Sequence, residues 1–386
     1  MLKKVSALFI PTLVSGVNYW RMYNPVNAAY RTKAFDGHLL WWQKGLTEVH
    51  PWQQDIMSHA HGPRITHEMA ANARKMDVIV MGMVGSNNGY RTVQWLREDF
   101  GKPVVMEIDD NILSCPIYNP AASCYNPNSQ VRGFTISQLR ESDAVIVTTP
   151  GLKEVYSEFN DNIYIVPNSI DFEVWGKLQH GKNRGKITIG WVGGANHNSD
   201  LLIIEPAIDY LTDKYPQVEF VFGHGMHPNF KGKKGVRWLR EFVRIDKYPK
   251  FMAKIGMDIG MAPLVDNAFN RGKSNLRWLE YSSLGIPTVA SNVGHFAETI
   301  HNGVDGFLCD TPDDFTAALE SLINDASKRR CIGRDAKARV FKDFNIDNTV
   351  RLYAGILEEI KSRGQVVKII SQQKDSNFVL PVEAIV

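Results

Sequence analysis

FNRGKSNLRWLEYSSLGIPTVAS occupies residues 269–291. It sets a basic Gly turn, an amphipathic helix and a β-prone segment one after another. Gly272 closes the turn, and Ser274 or Asn275 can open the helix. A helix start presents unpaired backbone N–H groups and a partial positive charge, which suit a phosphate. Lys273 adds a full charge at that point, and Glu280 follows seven residues later. Seven residues is close to two helical turns, so the spacing predicts both side chains on one helical face, roughly 10 Å apart. Charges so spaced do not pair with each other. A carboxylate at that distance can accept two hydroxyl protons at once, as the 2′,3′-diol of a ribose offers. An exposed charged helix is the plainer alternative, and the spacing alone leaves both readings open.

The rest of the chain repeats this alternation. KVSALFI, DVIVMGMVG, KPVVMEI, DAVIVTT and NIYIVP are expected strands, separated by the expected helices NPVNAAYRTKAF, GYRTVQWLREDF, SQLRES and GLKEVYSEF. Continuous Val/Ile runs between helices predict a parallel sheet covered on both faces. The pattern pauses at PNSIDFEVWGKLQHGKNRGK, a polar and basic linker, and resumes with ITIGWVGG, VEFVFG, DIGMAPL, PTVAS and DGFLC. Helices are expected over 199–214, 247–255, 274–284, 312–324, 326–343 and 347–363. The reading is two Rossmann-like halves, 1–170 and 171–346, with a last helix in 347–386 crossing back to the first half. The tail after Gly364 holds two β-prone pieces without a clear place. Ligands of open parallel sheets bind outside the carboxyl ends of the strands, so two such edges could hold a donor and an acceptor across a cleft.

Bulk properties restrict the function classes only loosely. The 386 residues are 44% apolar and 22% charged, and 44 basic against 41 acidic residues give +3. That balance demands neither nucleic acid nor an anionic membrane. No apolar run has the length of a membrane span, so no stable membrane insertion is expected. The opening MLKKVSALFIPTLVSG is broken by Pro11 and is expected to be a first buried strand rather than a signal segment. Cys115, Cys124, Cys309 and Cys331 show no metal spacing, which suits a reduced, cytoplasmic chain.

KSNLRWLEYSSLGIPTVAS resembles the nucleotide-sugar motif of GT-B fold glycosyltransferases, in particular the family-4-like group of retaining enzymes. There a Glu, a small-residue segment and G-x-P-V-V-A close on the ribose; here the pattern is Glu280 followed by Leu284-Gly285-Ile286-Pro287-Thr288-Val289-Ala290. IYIVPNSID (163–171), IGWVGG (189–194), DIGMAPL (258–264) and KPVVMEIDDNI (102–112) are also similar to that group, so the resemblance covers most of 75–345. One departure stands out. The family often carries a second Glu eight residues before the ribose Glu, contacting the transferred sugar; that position is Gly272. A subgroup with F-N-x-x-K-S-x-L-K uses the Lys instead, and this chain follows it.

The resemblance implies a donor site of Gly193, Gly194, Asn196, Arg271, Lys273, Ser274, Asn275 and Glu280. Gly193 and Gly194 in WVGGANHNSD let the backbone approach a diphosphate, although Gly pairs are common at any strand-to-helix turn. Helix capping is an equal reading for Asn196 and Asn198. His197 is expected to face the cleft. Asp109 and Asp110 follow a strand, with one of the two expected to face the cleft and contact a sugar or acceptor hydroxyl; capping is the alternative. Catalytic candidates are thus Asp109, Asp110, His197 and Lys273. In VSGVNYWRMYNP, Gly16 fits a tight loop, and Tyr19 and Arg21 could reach an acceptor or a phosphate. Trp41, Trp42, His50, Trp52, His59, His61 and His67 suit an acceptor region, with buried core tryptophans an almost equal reading; His59-x-His61 lacks supporting metal ligands.

The resemblance implies α/β architecture of GT-B type and retaining transfer from a nucleotide-sugar, a UDP-sugar ahead of a GDP-sugar, with no cofactor or metal required. The acceptor is a saccharide or glycoconjugate first, and a hydroxymethylated DNA base second. A sugar-nucleotide epimerase and a non-catalytic nucleotide-sugar-binding protein are the rivals. Oligomeric state is open.

Overall fold

The computed structural model describes residues 4–11, 16–40, 67–119, 121–181, 185–241 and 243–376. The first sheet contains β1 (Ser6–Ile10), β2 (Asp36–Leu39), β3 (Val78–Gly82), β4 (Val104–Glu107), β5 (Ala144–Val147) and β6 (Ile163–Ile165), in the order β2-β1-β3-β4-β5-β6. The second contains β7 (Ile187–Gly193), β8 (Val218–His224), β9 (Val236–Leu239), β10 (Ile259–Ala262), β11 (Thr288–Ser291) and β12 (Phe307–Cys309), in the order β12-β11-β10-β7-β8-β9. Every pairing between these strands is parallel.

Both faces of each sheet are buried along its inner strands, which is why those strands are mostly apolar rather than alternating. In the first sheet Ile79, Met81, Val104 and Met106 join one core, whereas Val78, Val80, Val105 and Ile146 join another. The second sheet divides likewise, with Phe220 and Phe222 on one side and Val221 on the other. The sequence reading lacks β2 and β9. Each is the edge strand of its sheet and only half-buried, so neither carries an apolar run.

The chain passes twice between the halves, and the two crossings pair. Ile170 N–H donates to Phe344 O at 2.8 Å, and Ile346 N–H donates to Ile170 O at 3.0 Å. Arg31 clasps both crossings through Asp171 at 3.2 Å and Asp347 at 2.6 Å. The last helix, Ile346–Ser376, lays Val350, Tyr353 and Leu357 into the core of the first sheet. It extends beyond Gly364, so the part of the tail up to Ser376 is helical rather than β. The aromatic and His stretch from Trp41 to His61 lies outside the described residues.

Candidate active site

A cleft of about 760 Å³ is lined from both halves, at the carboxyl ends of the central strands. The first half contributes Gly16, Asp109 and Asp110; the second contributes Gly193, Gly194, Asn196, His197, Lys273, Ser274 and Glu280. These expected site residues come together. Both Asp109 and Asp110 line the cleft, where one had been expected to.

The helix of the opening stretch begins at Leu276, with Asn275 as its N-cap, and ends at Ser283. Lys273 therefore lies in the preceding turn and not on the helical face of Glu280. Its Nζ donates to Asp110 Oδ1 at 2.7 Å, across the two halves of the molecule. Glu280 is on the helix and only 2% exposed. Its Oε2 accepts from Tyr248 OH at 3.1 Å and from Arg277 Nη1 at 3.2 Å. Burial pushes the Glu280 carboxyl up to about 7, against the opposing pull of Arg277 and the Tyr248 hydroxyl. Burial also raises Asp109, to about 8, helped by the neighbouring Asp110 and Glu107 carboxylates and resisted by Lys273 and Arg21. His197 Nδ1 lies 2.9 Å from Asp200 Oδ2. Burial lowers the His197 imidazole despite that bond, which favours the neutral ring.

Four expected site residues do not reach the cleft. Arg271 points to solvent and chelates Asp266 through two bonds of 2.6 and 3.0 Å. Asn275 is fully buried and donates to Thr299 Oγ1 at 3.3 Å, held beneath the helix it starts. Tyr19 is buried against Trp20 and Tyr23. Arg21 is buried in an ion pair with Glu107 at 2.5 Å and also donates to Asn168 Oδ1 at 3.1 Å. The helical course of residues 16–23 turns Arg21 inward, where the carboxylate at the end of β4 neutralises it. Conversely, Trp191, Asn168, Tyr248 and Arg277 line the cleft without having been singled out. Arg277 had a sequence signal, three residues before Glu280. Tyr248 lies thirty-two positions from its partner, and no local pattern links them.

The two raised acids make a pH prediction. The unfolded chain ionises Glu280 near 4.5 and Asp109 near 3.8, whereas the fold keeps both protonated to higher pH. Their contribution to stability is therefore complete below the unfolded values, and it is lost as pH rises toward about 7 and 8. The urea midpoint of the parent is expected to fall between pH 5 and 8, and Glu280→Gln to remove a share of roughly 3 kcal/mol of that fall. Identical pH profiles for parent and variant refute the buried-acid reading of Glu280.

Two parallel six-stranded sheets with flanking helices and a shared cleft define the GT-B fold. Solved structures of that fold superpose on nearly the whole chain. HepE of Anabaena in complex with UDP gives a TM-score of 0.62 at 14% identity, over 92% of this chain and all of that one. Sucrose-phosphate synthase of Thermosynechococcus elongatus gives 0.63 at 12% identity, over 93% of this chain and all of that one. In sequence, residues 186–325 match the family described as Glycosyl transferases group 1. Glycogen synthase of Mycobacterium tuberculosis is 21% identical over 306 residues, 76% of this chain and 66% of the relative's length. The chain thus matches just under two thirds of that relative. Among the described residues no helix is long and apolar enough to cross a membrane.

Proposed function

We propose that the protein is a retaining glycosyltransferase that takes a sugar from a UDP-sugar and passes it to a hydroxyl of a saccharide or glycoconjugate. One observation carries the reading most: the buried carboxylate of Glu280 and the cation of Lys273 open into one cleft, beside the glycines that end β7. Glu280 suits the two ribose hydroxyls. Lys273 and the backbone amides of Ser274 and Leu276 suit the diphosphate. Asp109 and Asp110 enter from the opposite half, where they can hold hydroxyls of the transferred sugar or of the acceptor. The complexes of HepE with UDP and with UDP-glucose support the choice of uridine donor. Four free cysteines suit a reducing cytoplasm.

The reaction breaks the bond from the anomeric carbon to the diphosphate oxygen and forms one to the acceptor oxygen. The acceptor proton passes to the departing diphosphate oxygen, on which charge accumulates as the bond breaks. Attack from the face that the diphosphate departs preserves anomeric configuration without a covalent sugar–enzyme intermediate. The chain's contribution is electrostatic, since Lys273 meets the charge that grows on the leaving group.

The test is a screen of nucleotide-sugars for release of nucleotide, first alone and then with saccharides and hydroxymethylated duplex DNA as acceptors. Transfer to a saccharide with the anomeric configuration kept is the expected result. Epimerised donor in the absence of acceptor identifies an epimerase; binding without turnover identifies a binding protein. Transfer to DNA alone overturns the saccharide assignment. Because Lys273 supplies the charge, transfer is expected to persist in excess chelator. Abolition by chelator, with recovery on adding magnesium or manganese, refutes a metal-free reaction and makes Asp109 and Asp110 candidate ligands.

A further inference from the structure

The turn that carries Lys273 is gripped by the opposite half of the molecule at three successive strand ends. After β4, Asn111 Nδ2 donates to Ala268 O at 3.0 Å, and Asp110 holds Lys273. After β5, Thr149 Oγ1 donates to Gly272 O at 3.1 Å. After β6, Asn168 Nδ2 donates to Ser274 Oγ at 2.8 Å, while its Oδ1 accepts from Arg21. Two of these four contacts are to backbone carbonyls of the second half, and those two depend on close approach of its main chain.

Two glycines permit that approach. A Cβ on Gly151, in the short helix Pro150–Tyr156, would lie 3.0 Å from Arg271 O. A Cβ on Gly272 would lie 2.9 Å from Leu152 Cδ2 and 3.2 Å from Asn111 Cβ. Leu152 is fully buried and Asn111 nearly so, leaving little freedom to yield. Neither glycine has a positive φ, so the backbone itself asks for no glycine at either place. Neither lines the cleft. What both positions lack is room for a side chain between the two halves. A Glu at 272 would stand in this contact instead of reaching a sugar.

We propose that turn 268–274 is the seat on which the two halves close, and that Gly151 and Gly272 are positioning residues for it. Seating brings the Lys273 ammonium, carried by the second half, to Asp109 and Asp110, carried by the first. A wedge at either glycine separates these groups without touching any of them. This inference rests on the glycosyltransferase reading for its kinetic consequence, but not for its structural one.

The experiment compares Gly151→Ala and Gly151→Val with the parent, by turnover of the nucleotide-sugar found in the screen, by UDP titration and by solution scattering with saturating UDP. kcat is expected to fall roughly 10-fold for Ala and 100-fold for Val, as misplacement grows toward an ångström. The UDP dissociation constant is expected to stay within about threefold, because Glu280 and Lys273 remain on one half. The radius of gyration is expected to rise in the Val variant. A Val variant with parental kcat and parental scattering overturns the proposal, as does a loss of kcat matched by an equal loss of UDP affinity. Should the parent turn over no nucleotide-sugar, the functional reading fails, and the scattering comparison still decides the seat.

Discussion

Lys273→Ala is expected to lower kcat for sugar transfer by roughly a hundred- to a thousandfold, the usual effect of deleting one preorganised group that stabilises transition-state charge. Lys273 is a cleft cation of the second half that meets a carboxylate of the first. It sits 14% exposed, 2.7 Å from Asp110 and over the face of Phe269 at 4.5 Å. That setting holds the ammonium in place before any donor arrives, so little reorganisation is needed as the bond to the diphosphate breaks. Its removal acts twice. The leaving group loses its countercharge, and Asp110 is left facing the same space with a negative charge unopposed. Asp110→Asn added to Lys273→Ala is therefore expected to recover part of the lost rate. The experiment is single-turnover transfer by the parent and both variants at saturating donor. A Lys273→Ala enzyme within threefold of the parent kcat would mean that the diphosphate lies elsewhere in the cleft.

How much of this was legible in the sequence differs between fold and site. The buried strands were, because a strand covered on both faces must be apolar along its length, as Val78–Gly82 and Ala144–Val147 are. The half-exposed edge strand Asp36–Leu39 offers nothing of the kind. In the site, Glu280 was legible through its motif, but the geometric reason drawn from its spacing to Lys273 does not hold. Seven residues define a helical face only if the helix spans them, and this one begins at Leu276. What organises Lys273 is Asp110, 163 positions away, a distance at which no local spacing carries information. Arg21 shows the same limit from the other side. A lone Arg in a loop after a strand has the chemistry for phosphate, yet Glu107 takes it into the interior. Which opposite charge a buried group meets is set by the packing of strand ends, and local sequence does not encode it.

Glu280→Gln is expected to weaken nucleotide binding roughly ten- to a hundredfold, the equivalent of about 1.5–3 kcal/mol for hydrogen bonds to a charged acceptor. Both protein bonds to the carboxylate fall on Oε2, from Tyr248 and Arg277. That arrangement fixes the rotation of the group and leaves Oε1, among the described residues, for a ligand. A ribose diol needs an acceptor at each hydroxyl, and an ionised carboxylate can serve both without an N–H in the way. The Gln amide keeps the shape, presents one oxygen instead of two and opposes the Arg277 guanidinium with a dipole instead of a charge. The loss is expected to vanish for a nucleotide lacking both the 2′ and 3′ hydroxyls, which parent and variant should bind alike. That comparison separates the ribose contact from any general disturbance of the cleft. Ionisation gives an independent check. With its carboxyl pushed up to about 7, the parent is expected to bind the intact nucleotide more tightly as pH rises from 6 to 8, whereas the Gln variant has no such group to titrate. Equal affinity of parent and variant for the intact nucleotide at pH 8 would remove Glu280 from the ribose, and with it the central support for a nucleotide-sugar donor.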